Sequence, residues 1–519
     1  MENKIVFPSG LNSVYPYISE PVYPKTNNNS DDIEVKLDDS YNFERKVEEE
    51  GKKKKWLVIH YGAGDNNLAR FIFSDVDELE KVGSDVNTHV VSILDVGKQW
   101  GVPFKGARVF YLQKDEQSGK INSPVLKNLG QINSADPEVM ANLIKEVIRR
   151  FPAENIAIFI GDHGAGWEGA VEDDSAGGKF MKIWEIREAL EKVSKELGKK
   201  IDVLAWDACL MAMAEVGYEL KDVVKYMVAS EQLEGGGGYN YTILFSKAMA
   251  EAIKEIQQAS LLKIKVGPEE FAKLIVNAAK EYSNDIETIS AVDLDKVKEL
   301  ANAINSFSQE VIQVTKDAQI AKMLESFKNL SEKLQQINKT EVNYEKLVEI
   351  LSNYSKLVEV LGTILGNNSK IDSNLLNQVE QLKQAQNKLN ELISVYSSLD
   401  LSHKIQEVFS ELNTQDAKKI KEKITKTQQF YGSFRDLKHF MELIVKDETI
   451  SKNIRDKAEA VIKALNEYVI AETHVPKYPN ANGVTIELPS WGGPKSEYKE
   501  TLFAKDTKWD EMLEKLNKV

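Results

Sequence analysis

Cys209, the only cysteine in 519 residues, closes an apolar run, Ile201-Asp-Val-Leu-Ala-Trp-Asp207-Ala-Cys209, and Leu210-Met-Ala-Met-Ala follows as the apparent start of a helix. A second apolar run, Asn155-Ile-Ala-Ile-Phe-Ile160, ends in Gly161-Asp-His163-Gly164-Ala-Gly166. Two buried parallel strands ending this way deliver a thiol and an imidazole to one sheet edge, where open α/β folds keep their chemistry. A lone cysteine taken alone is most simply a small buried hydrophobe, but the matching histidine strand turns the reading toward a nucleophile. A thiol attacks as thiolate, and a neighbouring imidazole or helix N-terminus lowers its pKa; His163 and the helix expected from Leu210 offer both. The glycines at 161, 164 and 166 leave room for a substrate carbonyl, and the N–H groups of Gly164 and Cys209 are candidate oxyanion donors. The other histidines, at 60, 89, 403, 439 and 474, lie in strand, helix or loop stretches without metal-type spacing, so no metal ligands are expected.

The elements that must position this pair follow from hydrophobic patterning. Strands are expected at Trp56–Tyr61, Thr88–Leu94, Ala107–Leu112, Asn155–Ile160, Ile201–Trp206 and Val224–Ala229, most of them continuously apolar, as strands covered on both faces are. Helices are expected at Leu68–Val82, Pro137–Arg150 with proline in the first turn, Ile183–Leu197 and Leu210–Leu220. Alternation of the two gives a doubly wound, mostly parallel α/β sheet with helices on both faces.

The chain is too long for one core at about 100–200 residues per domain, so two or three units are expected. Residues 1–55 read as an extended arm or pro-segment, with an asparagine run at 27–29 and a Glu48-Glu-Glu-Gly-Lys-Lys-Lys-Lys55 ending that suits a solvated linker or a processing site. Between Pro268 and Pro476 no proline occurs. Apolar residues at Ile320, Met323, Phe327, Leu330, Leu334 and Ile337, and again at Leu375, Val379, Leu382, Leu389, Ile393 and Tyr396, fit antiparallel coiled-coil packing. Residues 312–428 are therefore a long all-helical insertion, structural or partner-binding, between an α/β core at 56–311 and a 429–519 stretch whose Gly483–Leu488 strand is expected to complete the sheet.

Net charge is −14 with a pI near 5.2, which argues against nucleic-acid or anionic-membrane surfaces and suits a cationic substrate. One cysteine excludes an internal disulfide. No apolar signal region opens the chain and no apolar run approaches ~18 residues. As written, the expectation is a cytoplasmic protein, or a secreted one if the chain is a mature or trimmed form.

The pairing of an apolar strand plus His-Gly with an apolar strand plus Asp-Ala-Cys resembles the clostripain family of cysteine peptidases, relatives by fold of caspases, gingipains and legumains. Matching stretches run in order through Trp56–Tyr61, Asp65–Leu68, Asp162–Trp167, Asp173–Ser175, Asp207–Met211, Ser230-Glu231, Ser290–Asp293, Gly483–Pro489 and Trp509. The resemblance implies a caspase-like core in which Cys209 attacks the scissile carbonyl and His163 gives a proton to the leaving amine. It implies cleavage after Arg or Lys, no required cofactor, and calcium assistance only by analogy. Asp207, two residues before the thiol, shares its side of the strand and either pairs with a cationic P1 side chain or caps the next helix. Gly237 stands where the family commonly has an acid, which leaves Glu231 or Glu234 to supply that charge. Relatives often cut themselves between the His and Cys strands, and there Lys179 and Lys182 are the candidate self-cleavage sites.

Three functions follow. The first is an endopeptidase acting on protein or peptide. The second is a catalytically idle relative that binds a partner through the helical insertion. The third, a small-molecule thiol hydrolase, lacks the Gly-x-Ser-x-Gly type of elbow.

Overall fold

The computed structural model describes residues 45–98, 101–247, 266–282, 285–337 and 415–518. Its centre is a nine-stranded sheet in the order β12-β10-β9-β8-β5-β1-β2-β3-β4. The strands are β1 (Lys54–Gly64), β2 (Thr88–Val96), β3 (Gly106–Tyr111), β4 (Val125–Gly130), β5 (Ala153–Gly161), β8 (Ile201–Asp207), β9 (Val224–Ala229), β10 (Thr288–Asp293) and β12 (Val469–His474). Neighbours from β9 through β8, β5 and β1 to β2 run parallel, and antiparallel pairs finish both edges. The fold is thus the mixed, mostly parallel α/β sheet read from the sequence.

Two apolar clusters sandwich this sheet. One packs α1 (Ala69–Val82) and the helix Pro268–Ala279 against one face. The other packs α2 (Pro137–Arg150), α3 (Ile183–Leu197), α4 (Ala214–Leu220), the helix Val297–Ile337 and the C-terminal helices against the opposite face. β8 is buried at every position and β5 at its last six residues, from Ile156 to Gly161, so both demand the continuous apolar runs that made them legible. At α2, Asp136 accepts the Glu138 N–H at 2.8 Å and Pro137 takes the first turn, which fixes the helix start.

Three expectations need correction. The helix after Cys209 begins only at Ala214: Leu210 adopts φ +69°, a left-handed turn that a helix cannot continue through, and its N–H bonds to the Gln232 carbonyl. The Gly483–Leu488 run does not join the central sheet. Its β13 (Thr485–Glu487) pairs with β11 (Phe434–Asp436) in a separate two-stranded sheet, and β12 occupies the edge beside β10 instead. The Lys52–Lys55 run is not a free linker, because Lys54 opens β1 and is buried, with its ammonium beside the Tyr111 hydroxyl and ion-paired to Glu49 at 3.1 Å. Of the helical insertion, the helix Val297–Ile337 runs unbroken into its first part, and the second apolar series, 375–396, lies outside the described residues. So does the arm through residue 44.

Candidate active site

β5 and β8 lie side by side, with Gly161 opposite Asp207. Each chain then leaves the sheet edge at once, so His163 and Cys209, two residues past their strands, line one crevice. The approach of the two backbones is tight: a Cβ on Gly164 would sit 2.3 Å from the Cys209 carbonyl oxygen and 3.1 Å from its nitrogen. Only glycine fits there. The two N–H groups expected to receive an oxyanion therefore belong to touching segments.

His163 Nε2 lies 2.6 Å from Asn67 Oδ1, on the loop after β1. An amide oxygen only accepts, so it holds the ring proton on Nε2. Burial lowers the imidazole pKa to about 4, leaving the ring neutral near pH 7. The thiol is 8% exposed. The Glu234 N–H donates to Sγ at 3.2 Å, and the Glu234 carbonyl is 3.8 Å from the same sulfur. Burial first, and then the Glu234 carboxyl, push the thiol pKa up to about 12. The expected helix N-terminus that would have lowered it is displaced to Ala214. The resting pair is therefore thiol and imidazole, both uncharged.

The floor of the crevice is acidic. Asp207 is buried, its Oδ1 accepts the Tyr239 N–H at 3.0 Å, and Oδ2 has no partner within hydrogen-bond geometry. Burial raises its pKa to about 7, with the Glu78 carboxylate adding to the rise. Glu234 is pushed well up by burial and then by the neighbouring Asp207 carboxyl. Asp75, on α1, also lines the crevice and is pushed well up by burial and then by Asp207. Gly238, at φ +52°, brings the main chain against Asp207, where any Cβ would meet Oδ1 at 2.2 Å. The Asp285 carboxylate packs against Gly235 and Gly237, within 2.8 Å of where a Cβ on Gly237 would stand. A carboxylate thus reaches the place left open by the absent acid at 237, from a different part of the chain.

Not every expected residue gathers here. Glu231 is buried elsewhere: its Oε2 accepts the Gly483 N–H at 2.9 Å, and it shares a hydrogen bond with Asp436. Asp207 does not cap the helix that follows, which starts seven residues later at Ala214. Lys179 lies on β7 (Lys179–Met181), antiparallel to β6 (Ala170–Asp173), and Lys182 caps α3 through its N–H to Glu185 at 2.9 Å. Asn67 and Asp75 were missed by sequence reasoning, since a polar residue in a loop or on an amphipathic helix carries no signal of what it faces.

One further set could hold a metal. Ligand oxygens of Asp65, Asp95 and Asp173, all buried, lie within 4.8 Å of one another. The grouping is not legible from residue spacing, because the three come from separate elements.

The model of the clostripain family matches residues 60–516. Clostripain from Hathewaya histolytica is 22% identical over 364 residues, covering 62% of this chain and 66% of that protein; the match thus spans just under two thirds of that relative's length. A crystal structure of a secreted C11 cysteine protease from Bacteroides thetaiotaomicron, in complex with an irreversible peptide inhibitor, aligns with a TM-score of 0.51 at 15% identity, over 88% of this chain and 99% of that one. An inactive zymogen C11 protease from Parabacteroides distasonis aligns with a TM-score of 0.49 at 15% identity, over 88% and 98%. Among the described residues no helix is long and apolar enough to cross a membrane.

Proposed function

The chain belongs to the clostripain family of cysteine peptidases, and from that premise we propose that it is an endopeptidase that cuts after Arg or Lys, with Cys209 as nucleophile and His163 as proton carrier. The observation that carries this reading is a thiol and an imidazole sharing one crevice whose floor is made of Asp75, Asp207 and Glu234. Stacked carboxyls in a buried cleft repel one another and give up charge; a guanidinium or ammonium entering among them restores it.

In the proposed reaction the Cys209 thiol passes its proton to His163 and the sulfur attacks the scissile carbonyl. The N–H groups of Gly164 and Cys209 receive the oxyanion. His163 then protonates the leaving amine as the C–N bond breaks, and water hydrolyses the thioester, returning the proton to sulfur. The P1 cation has a second role. Glu234 and Asp207 both hold the thiol pKa up, so a positive charge between them favours the thiolate at the moment substrate is bound. Glu231 has no part in P1 binding.

No cofactor is needed for this chemistry. Self-cleavage at Lys179 or Lys182 would cut the connection between the His163 and Cys209 strands. The core at 56–311 together with 429–519 is the catalytic unit, and the 312–428 insertion is the candidate partner surface. A mixed P1 peptide library tests the whole reading, with wild type compared with Cys209→Ala. Thiol-dependent cleavage confined to Arg and Lys is expected. Turnover that survives loss of the thiol overturns the nucleophile, and preference for acidic or neutral P1 overturns the pocket. An absence of turnover would favour the idle scaffold.

A further inference from the structure

We infer that residues 234–238 form a strap closed over the nucleophile and latched on the Phe71 ring of α1, and that a substrate reaches Cys209 only after the strap lifts. This deepens the peptidase reading, and rests on it for what the lifting admits; the closed strap itself does not.

The strap covers the sulfur with main chain. The Glu234 N–H donates to Sγ at 3.2 Å, the Glu234 carbonyl lies 3.8 Å from the same atom, and Cys209 is left 8% exposed. A scissile carbonyl must come within about 3–3.5 Å of the attacking sulfur. In the closed arrangement that space belongs in part to Glu234. Gly235, Gly236 and Gly238 continue along the crevice, which Leu68, Phe71 and Ile72 line from the side of α1.

The two sides meet at one point. A Cβ on Gly236 would stand 2.9, 3.0 and 3.1 Å from the three outermost atoms of the Phe71 ring, so the glycine main chain lies against the tip of that ring. Gly236 does not have a positive φ. Its missing side chain therefore serves the close approach to Phe71 rather than a turn, and any larger residue there would hold the strap off α1.

Little else fastens the strap. The Gly235 N–H donates to the Asp285 carbonyl at 2.8 Å, and the Gly238 N–H donates to the Gly235 carbonyl at 3.0 Å, a bond inside the strap itself. The N–H groups of Gly236 and Gly237 bond to nothing among the described residues. Four glycines in a row bury no side chain and accept a wide range of backbone angles, and a segment with so few contacts opens at low cost. The closed arrangement also sets the Glu234 carboxyl beside Asp207 in a buried crevice, an unfavourable pairing of acids. A cationic P1 side chain relieves it. Such a ligand interacts better with the lifted strap than with the closed one, which is what shifting the balance requires.

The test alkylates the full chain with iodoacetamide in the absence of substrate and measures peptide turnover separately. Gly236→Ala puts a methyl against Phe71 and props the strap; Phe71→Ala removes the latch. Gly237→Ala is the control, because its methyl meets the Asp285 carboxylate instead. Cys209, the only thiol, should be modified at least about tenfold faster than in the wild type in both latch variants, and within about twofold of it in the control. With Arg or Lys peptides, KM should fall about tenfold in Gly236→Ala with a smaller change in kcat, since bound enzyme is already open. Wild-type alkylation rates in the latch variants overturn the strap, and an equal gain in Gly237→Ala overturns the latch. Faster alkylation at unchanged KM overturns the gating of substrate. Faster alkylation in a protein that cuts no peptide supports the strap and overturns the peptidase reading. Thermal unfolding shows that each variant is folded; should one latch variant fail, the other decides.

Discussion

The main-chain N–H of Glu234 lies 3.2 Å from the sulfur of Cys209, so the residue whose carboxyl lines the crevice also covers that sulfur with its backbone. Burial outweighs that single donor, and the thiol stays protonated.

Alkylation should report this directly. With its pKa about 12 against 9.0 for a free thiol, the unliganded Cys209 should react with iodoacetamide near pH 7 roughly a thousandfold more slowly than a model cysteine. A small guanidinium compound that enters the crevice should accelerate the reaction. A thiol that titrates below pH 7 without ligand would contradict the account.

Asp207→Asn keeps an oxygen for the Tyr239 N–H and removes the charge. Loss of one partner of a buried ion pair costs about 2–5 kcal/mol, so kcat/KM for Arg and Lys substrates should fall about 100-fold or more, with little change for a neutral isostere at P1. Asp75→Asn should act in the same direction with a smaller effect. Glu231→Gln, outside the crevice, should leave the P1 ranking alone; steady-state kinetics on matched peptides decide between them.

Gly164→Ala drives a methyl against the Cys209 carbonyl. Overpacking of this kind costs about 1–3 kcal/mol of stability, and a shift of about 1 Å between reacting groups costs about 100-fold in rate. Thermal unfolding and kcat measured together should show the larger loss in kcat. Wild-type activity in this variant would mean the two segments separate during turnover.

Glu215 supplies a pH signature. It is wholly buried, accepts the Glu487 N–H and the Tyr498 hydroxyl at 2.8 Å each, and burial raises its pKa to about 7 from 4.5. Between those values the folded protein holds a proton that the unfolded chain has lost, so stability falls as pH rises from 4.5 to 7 and levels off above. Glu215→Gln should flatten that part of the curve and stabilise the protein at pH 8 by on the order of 3 kcal/mol at most. Denaturant midpoints across the range check the slope.

Much of the frame was legible because β5 and β8 are buried on both faces and must be apolar throughout, and because Pro137 and Asp136 mark a helix start chemically. The catalytic candidates were legible because each follows such a strand by two residues. What misled was local: Leu210-Met-Ala-Met-Ala has helical composition, yet a bond from Leu210 to Gln232, beyond α4 and β9, holds it in a left-handed turn. Asp75, Asn67 and Asp285 were invisible for the opposite reason, since their meaning lies wholly in what the fold sets beside them. The edge strand β12 was missed because none of its residues is fully buried, so its apolar signal is weak.

The burial of Lys54 bears on how such an enzyme lives with itself. Lys52 to Lys55 is the densest run of basic residues described, and a peptidase with the proposed specificity would meet it in every copy of its own chain. The Lys54 ammonium is withdrawn into the fold, the Lys52 carbonyl is held by His89 and the Lys55 carbonyl by Asn155. At Lys52, Lys54 and Lys55, then, either the side chain or the carbonyl is kept from another molecule's crevice unless the first rung of β1 is unpicked.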